Sequence, residues 1–186
     1  LEMQDFSEGT SSRSTKLVHG GIRYLKNFDV EVVSDTVSER AVVQSIAPHI
    51  PKPDPMLLPI YNDEGKTTFD MFSVKIAMDL YDRLAGIDEG SPYANYTISP
   101  EEVLRREPLI KKKGLQGAGV YLDYRNNDSR LVIDNIKKAV EDGAKAISKM
   151  KVIDFIYTDG QISGVRARDL LTDEVIEVKS KLVINT

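Results

Sequence analysis

Residues 10–25, Thr-Ser-Ser-Arg-Ser-Thr-Lys-Leu-Val-His-Gly-Gly-Ile-Arg-Tyr-Leu, most restrict what this chain can fold into. Five hydroxyl side chains (Thr10, Ser11, Ser12, Ser14 and Thr15) precede Lys16, and His19, Gly20, Gly21, Arg23 and Tyr24 follow closely. Hydroxyls and charges need partners when buried, so this ribbon cannot build a core by itself. It suits wrapping an anionic ligand: glycines let the backbone approach, hydroxyls and amides satisfy polar atoms, and Arg23 can grip a second anion. A Ser/Thr cluster is ordinarily a surface loop, and that reading stands beside the cofactor-binding one.

Around the ribbon the pattern mixes helix and strand. Residues 1–3 read as the tail of a strand and Ser7-Glu8-Gly9 as a loop, with a short turn of helix over Val18–Tyr24. Val30, Val33, Val37, Ala41, Val42, Ile46 and Ile50 keep a helical stripe, with Asp29 as its cap and Pro48 and Pro51 ending it near Ile50. Pro51, Pro53 and Pro55 predict an extended linker before a strand over Met56–Tyr61, and Asp63-Glu64-Gly65 a turn. Phe69, Phe72, Ile76, Leu80 and Leu84 mark a second long helix ending at Gly86.

Ser99-Pro100-Glu101-Glu102 is a capping box opening a helix to about Arg106. Gly117–Asp123 reads as a strand, and Asp128 opens an amphipathic helix carrying Val132, Ile136, Ala139 and Val140, closed by Gly143. Five β-rich segments follow (144–149, 151–157, 161–169, 174–179 and 181–186), with turns at Asp159-Gly160 and Thr172-Asp173. The fold class is therefore α/β, a mixture of helices and sheets ending in an antiparallel meander.

Composition narrows the function classes. The 41% hydrophobic and 29% charged shares are those of an ordinary globular chain, and a net charge of −4 makes no electrostatic case for nucleic acid. Without cysteine there is no disulfide or thiolate chemistry, which fits a reducing, cytoplasmic setting; two histidines make a His-rich metal site a poor expectation. No apolar run approaches the roughly 20 residues that span a bilayer. The opening Leu-Glu-Met-Gln-Asp and the closing Lys-Leu-Val-Ile-Asn-Thr look cut, the expectation being an internal piece of a longer protein. The sequons at Asn95 and Asn127 and the short basic run Lys111-Lys112-Lys113 carry no functional argument.

The run Gly9–Leu25 resembles the flavin-binding segment of the FAD-dependent glycerol-3-phosphate dehydrogenase family. The similarity extends through Val33-Ser34-Asp35 to Glu39-Arg40, Ile46-Ala47-Pro48-His49, Tyr121-Leu122-Asp123, Asp128–Val132 and Val183-Ile184-Asn185-Thr186. Pro51-Lys52-Pro53-Asp54-Pro55-Met56-Leu57-Leu58-Pro59 and Asn126-Asn127-Asp128 look most like the Gram-positive α-glycerophosphate oxidases. The resemblance implies a Rossmann-type FAD domain interleaved with a substrate domain: 1–47 as an FAD-binding segment, 48–123 as a substrate or cap segment, and 124–186 as the FAD-domain helix and meander. It also places the Gly-rich pyrophosphate turn before Leu1, and further substrate residues after Thr186.

The resemblance further implies roles. Glu2, at a strand end, would bind the ribose hydroxyls, although an acid there is ordinarily just solvated. Thr10, Ser11, Ser12, Ser14 and Thr15 would line the FAD pyrophosphate and ribityl chain, and Lys16, Leu17, His19 and Gly20 would also contact the cofactor, His19 at the flavin. Lys16 would complement phosphate or reduced-flavin charge. His19 would take the C2 hydroxyl proton, against the alternative of a structural histidine. Arg23, otherwise a surface ion-pair partner, and Tyr24 would hold the substrate phosphate. Val152 would offer backbone groups to adenine or be a plain core valine. Asp128 has a helix cap as its simpler role, Arg130 is open to either reading, and His49 reads as a helix-end residue.

The implied activity is oxidation of sn-glycerol 3-phosphate to dihydroxyacetone phosphate, with O2 as acceptor giving H2O2. A quinone-linked dehydrogenase, with peripheral attachment to the inner face of a membrane, is the nearest rival. A flavin- or nucleotide-binding module without turnover is another. The resemblance leaves room for a homo-oligomer.

Overall fold

The structure is a computed structural model that describes residues 1–62 and 70–186. Two compact units divide it: Lys16–Asn127, and Leu1–Thr15 together with Asp128–Thr186. The first is thus an insertion within the second. The predicted turn at 63–65 and the helical position Phe69 lie outside the described residues.

The inserted unit is built on an antiparallel sheet of β1 (Leu17–Val18), β2 (Lys52–Tyr61), β3 (Tyr96–Ile98) and β4 (Leu115–Arg125). The long β4 is central. It pairs with β2 along one side and with β1 and β3 along the other. The expected proline linker is strand instead, since β2 starts at Lys52 and runs through Pro53, Pro55 and Pro59. These prolines share one parity, so their missing N–H groups all fall on the same side of the strand. Opposite Tyr124, Leu122 and Ala118 they leave the ladder to β4 intact.

Helix α1 (Val30–Ile46) buries Val33, Val37 and Arg40, a stripe one turn apart in which the third member is charged. The predicted stripe was broader: Val30, Ala41, Val42 and Ile46 are exposed. The helix stops four residues before Ile50, because Pro48 disfavours helical backbone at Ala47, whose φ is −133°. Asp29 occupies the N-cap position but makes no side-chain cap bond.

Helix α2 (Met71–Leu84) is capped by Asp70, whose carboxylate accepts the Ser73 N–H at 2.7 Å. It lays Val74, Met78 and Tyr81 on β4. Gly119 permits that approach, since a Cβ there would stand 2.5 Å from the Met78 sulfur. Helix α3 (Pro100–Arg106) has the predicted Ser99 cap and buries Val103 against Leu115 and Ala118.

The outer unit contains α4 (Asp128–Glu141) and a meander of β5 (Met150–Thr158), β6 (Gln161–Asp169) and β7 (Val175–Lys179). Asp159 and Gly160 both take positive φ, 52° and 77°, the backbone a two-residue hairpin needs. The expected strands at 144–149 and 181–186 are irregular. Leu182 and Ile184 are exposed, and apolar alternation alone does not make a strand without a ladder partner. Residues 1–4 instead run beside the meander: Glu2 donates to the Ile147 carbonyl and accepts from the Met150 N–H, both at 2.9 Å.

Candidate functional site

The site residues of the inserted unit lie on a backbone pinned from below. Lys16, with φ of 63°, accepts the Asn126 N–H at 2.7 Å, and Leu17–Val18 pair with Arg125 and Tyr124 at the end of β4. His19 then leaves the sheet with its side chain exposed. Gly20, directly after it, is buried. Its N–H donates to Asp123 Oδ1 at 3.0 Å and its carbonyl accepts from Thr36 Oγ1 at 2.8 Å. A Cβ on Gly20 would stand 2.2 Å from Tyr81 Oη and 2.4 Å from Val37 Cγ1, so no other residue fits.

Beneath Gly20 lies a buried polar cluster. Arg40 Nη1 donates to Asp123 Oδ1 at 2.9 Å, to Tyr81 Oη at 2.9 Å and to the Leu122 carbonyl at 3.1 Å. Both side chains of the ion pair are only 3% exposed. The guanidinium lies over the rings of Tyr124 (4.6 Å) and Tyr81 (5.6 Å), and Tyr81 meets Tyr121 edge-on at 5.6 Å. Burial first, and the Asp123 carboxylate second, push the Tyr81 phenol well above its ordinary value and that of Tyr121 up to about 12. Both stay protonated, and Tyr81 serves as a fixed donor to Asp123 at 3.3 Å.

After Gly20 the chain turns through a 3-10 helix, Ile22–Asn27, anchored by buried Leu25. It carries Arg23 and Tyr24. The exposed Arg23 guanidinium lies 5.7 Å from the centre of the Tyr24 ring and forms no ion pair among the described residues. A guanidinium stacked yet unpaired by carboxylate is available to an incoming anion.

In the outer unit the hydroxyl run is partly turned inward. Thr10–Ser12 form a 3-10 turn. Ser12 Oγ donates to the Ser7 carbonyl at 2.5 Å and stands 3.1 Å from Ser129 Oγ, which in turn donates to the Ser11 carbonyl at 3.4 Å. Ser14 donates to the Asp128 carboxylate at the start of α4. Thr10 and Thr15 face solvent. The Glu2 carboxylate accepts the Gln4 N–H at 2.7 Å, and Val152, in β5 opposite Ala167, is 42% exposed.

Residues 9–25 contain three fixed cations, Arg13, Lys16 and Arg23, and no carboxylate. Arg13 has only a long contact to Glu8, at 3.9 Å. Donors of this kind, N–H and O–H groups with cations in the same stretch of sequence, are the chemistry that a pyrophosphate-bearing dinucleotide such as FAD requires.

The family model described as FAD dependent oxidoreductase matches residues 1–186. The chain belongs to this family. It is 95% identical over 186 residues to the alpha-glycerophosphate oxidase of Lactococcus lactis subsp. lactis, covering 100% of this chain and 30% of that protein. It is 68% identical over 187 residues to the alpha-glycerophosphate oxidase of Streptococcus pyogenes serotype M6, with the same coverage. The solved glycerol-3-phosphate dehydrogenase of Bacillus halodurans, complexed with FAD, superposes with a TM-score of 0.66 at 37% identity, over 97% of this chain and 27% of that one. The mixed α/β architecture with antiparallel sheets accords with part of a Rossmann-type FAD domain carrying an insertion. The chain spans 30% of the length of the curated relatives it matches.

No local pattern in the sequence marks the residues that immobilise Gly20. In the sequence Arg40 and Asp123 lie only within stretches of family resemblance, and Tyr81 and Thr36 carry no signal of their own. The usable clue is Arg40 itself, one helical turn from Val37 on the apolar stripe of α1. A cation in that position implies a buried anion elsewhere in the chain.

Proposed function

We propose that this chain is part of an enzyme that uses FAD to oxidise sn-glycerol 3-phosphate to dihydroxyacetone phosphate, with O2 as the final acceptor and H2O2 as the second product. One observation carries the reading: an exposed His19 and an exposed, carboxylate-free Arg23 flank an immobilised Gly20 in a chain 95% identical to an alpha-glycerophosphate oxidase. The interleaving of the 1–47 and 124–186 segments around 48–123 is supported by the pairing of Leu1–Thr15 with Asp128–Thr186 in one unit. Residues 16–47 and 124–127 group with 48–123 in the other.

FAD, when bound, supplies the acceptor for the hydride leaving C2. Glu2 is the residue for its ribose hydroxyls, Thr10, Ser11, Ser12, Ser14 and Thr15 for the pyrophosphate and ribityl chain, Lys16 for phosphate or reduced-flavin charge, Leu17, His19 and Gly20 for further cofactor contact, and Val152 for adenine. Arg23 forks onto two phosphate oxygens of the substrate and Tyr24 donates to a third. Holding the phosphate fixes C2, so the binding energy of a remote group serves orientation at the reacting carbon. His19 accepts the proton of the C2 hydroxyl as the carbonyl forms.

The quinone-linked alternative is favoured by the likeness to a protein described as a dehydrogenase. A membrane-dissolved quinone would call for peripheral attachment to the inner membrane face; among the described residues no helix is long and apolar enough to cross a membrane. Anaerobic addition of sn-glycerol 3-phosphate to the intact protein tests both readings. Bleaching of the flavin, followed by stoichiometric peroxide when air is admitted, supports the oxidase. Bleaching with slow reoxidation by air and fast reoxidation by quinone supports the dehydrogenase. A flavin that stays yellow under anaerobic substrate rejects both.

A further inference from the structure

His19 is the single residue between two anchored points. Val18 is paired to Tyr124 in the sheet, and Gly20 is held by Asp123 and Thr36. The bond from Gly20 N–H to Asp123 orients the peptide plane that joins His19 to Gly20. The bond from Thr36 to the Gly20 carbonyl orients the next plane. Two consecutive planes are therefore fixed from the interior of the unit, while the imidazole faces outward.

The Arg40–Asp123 pair is a costly way to build a core. Both charges are stripped of water, and apolar replacements of a buried ion pair are often neutral or stabilising. Its distinguishing property is the acceptor it presents. Asp123 Oδ1 is the atom that takes the Gly20 N–H, the Arg40 Nη1–H and the Tyr81 hydroxyl. Arg40 neutralises the carboxylate from beneath, and its contacts with Tyr81, Tyr124 and the Leu122 carbonyl hold the pair in one orientation.

We propose that the buried Arg40–Asp123 pair is a positioning device that fixes the His19–Gly20 peptide and so aims His19 at the substrate C2 hydroxyl. This rests on the proton-accepting role of His19 set out above. Arg40 and Asp123 touch neither substrate nor cofactor in this scheme; they act through Gly20.

The test uses the full-length protein with FAD bound and two double variants. Arg40→Met with Asp123→Asn removes the charges but keeps an amide oxygen for Gly20. Arg40→Met with Asp123→Leu removes the acceptor as well. Each is measured for flavin content, melting temperature, anaerobic flavin reduction by sn-glycerol 3-phosphate, and amide hydrogen exchange over residues 17–24.

The Leu-bearing variant is expected to reduce its flavin about tenfold or more slowly than the Asn-bearing one, as small misplacement of a catalytic group does. Its kcat should fall more than its KM changes, and its 17–24 segment should exchange faster, at equal flavin content and well below the melting temperature of either variant. Equal rates and equal exchange in the two variants overturn the proposal. Should neither variant fold, Thr36→Val in α1 releases the Gly20 carbonyl more gently. Slower flavin reduction then supports the device, and an unchanged rate rejects it. If the unaltered protein leaves its flavin unbleached, the glycerol phosphate reading fails, whereas the exchange comparison still judges the hold on the peptide.

Discussion

Asp123 Oδ1 accepts the N–H of Gly20 at 3.0 Å, joining the central strand β4 to the residue that follows His19 across 103 positions of sequence. The bond is buried and reinforced by Arg40, Tyr81 and Thr36. The loop bearing the exposed imidazole is thereby tied at its base to the core, where loops are ordinarily held only at their ends.

Gly20→Ala tests how tightly this junction is closed. The new Cβ would fall 2.2 Å from Tyr81 Oη and 2.4 Å from Val37 Cγ1, neither at the end of a long flexible chain. Overpacking of this kind costs about 1–3 kcal/mol. The intact protein should show a lower denaturation midpoint in urea and weaker FAD retention. A midpoint unchanged from the parent would contradict the packing described.

Arg23→Ala in the intact enzyme should raise KM for sn-glycerol 3-phosphate and lower kcat too. Losing charge-assisted bonds to a phosphate is worth about 1.5–3 kcal/mol, or roughly tenfold to a hundredfold in kcat/KM. Arg23→Lys should recover only part, since an ammonium lacks the planar fork. Steady-state kinetics across substrate concentration decide it, and near-normal constants for the Ala variant would remove Arg23 from the phosphate site.

His19→Gln keeps a side chain of similar polarity but no base. Flavin reduction should slow by about 10²–10⁴, the usual share of a general base, while bound FAD is retained. A variant that bleaches its flavin as fast as the parent would assign the proton to another group.

The exposed end of α3 offers a pH prediction. Hydrogen bonds from Arg105, then Arg106, hold the Glu102 carboxyl down to about 2, against an ordinary 4.5. A carboxyl depressed in the folded state stabilises it above its unfolded value and loses that contribution as pH falls toward the folded one. Glu102→Gln should therefore lower the melting temperature slightly at pH 7, with the difference shrinking below about pH 4.5. Because the cluster is exposed, added salt should shrink it too. A difference that grows on acidification would contradict the assignment.

What could be read directly from the amino-acid order was whatever acts over a few residues. The Ser99 cap, Pro100 at the first helical position, the Asp159-Gly160 hairpin and the start of α4 at Asp128 all stand where local chemistry puts them. So does the polar character of residues 10–25, since hydroxyls and cations at that density need hydrogen-bonding partners wherever they are covered. Prolines were misleading for the same local reason: each reads as a break, and only pairing to β4 shows that Pro53, Pro55 and Pro59 turn their missing donors to one side.

The arrangement beneath His19 belongs to the other category. Arg40 and Asp123 are 83 residues apart, and neither α1 nor β4 carries a local signal for its partner. Their meeting depends on where α1 and α2 settle on the sheet, which propensity and periodicity over a single segment do not specify. The chain's own order determined which elements form and that the ribbon stays polar. Tertiary packing alone decided which of its backbone groups would be held still, because a hydrogen bond between distant segments exists only once both have been brought to one place.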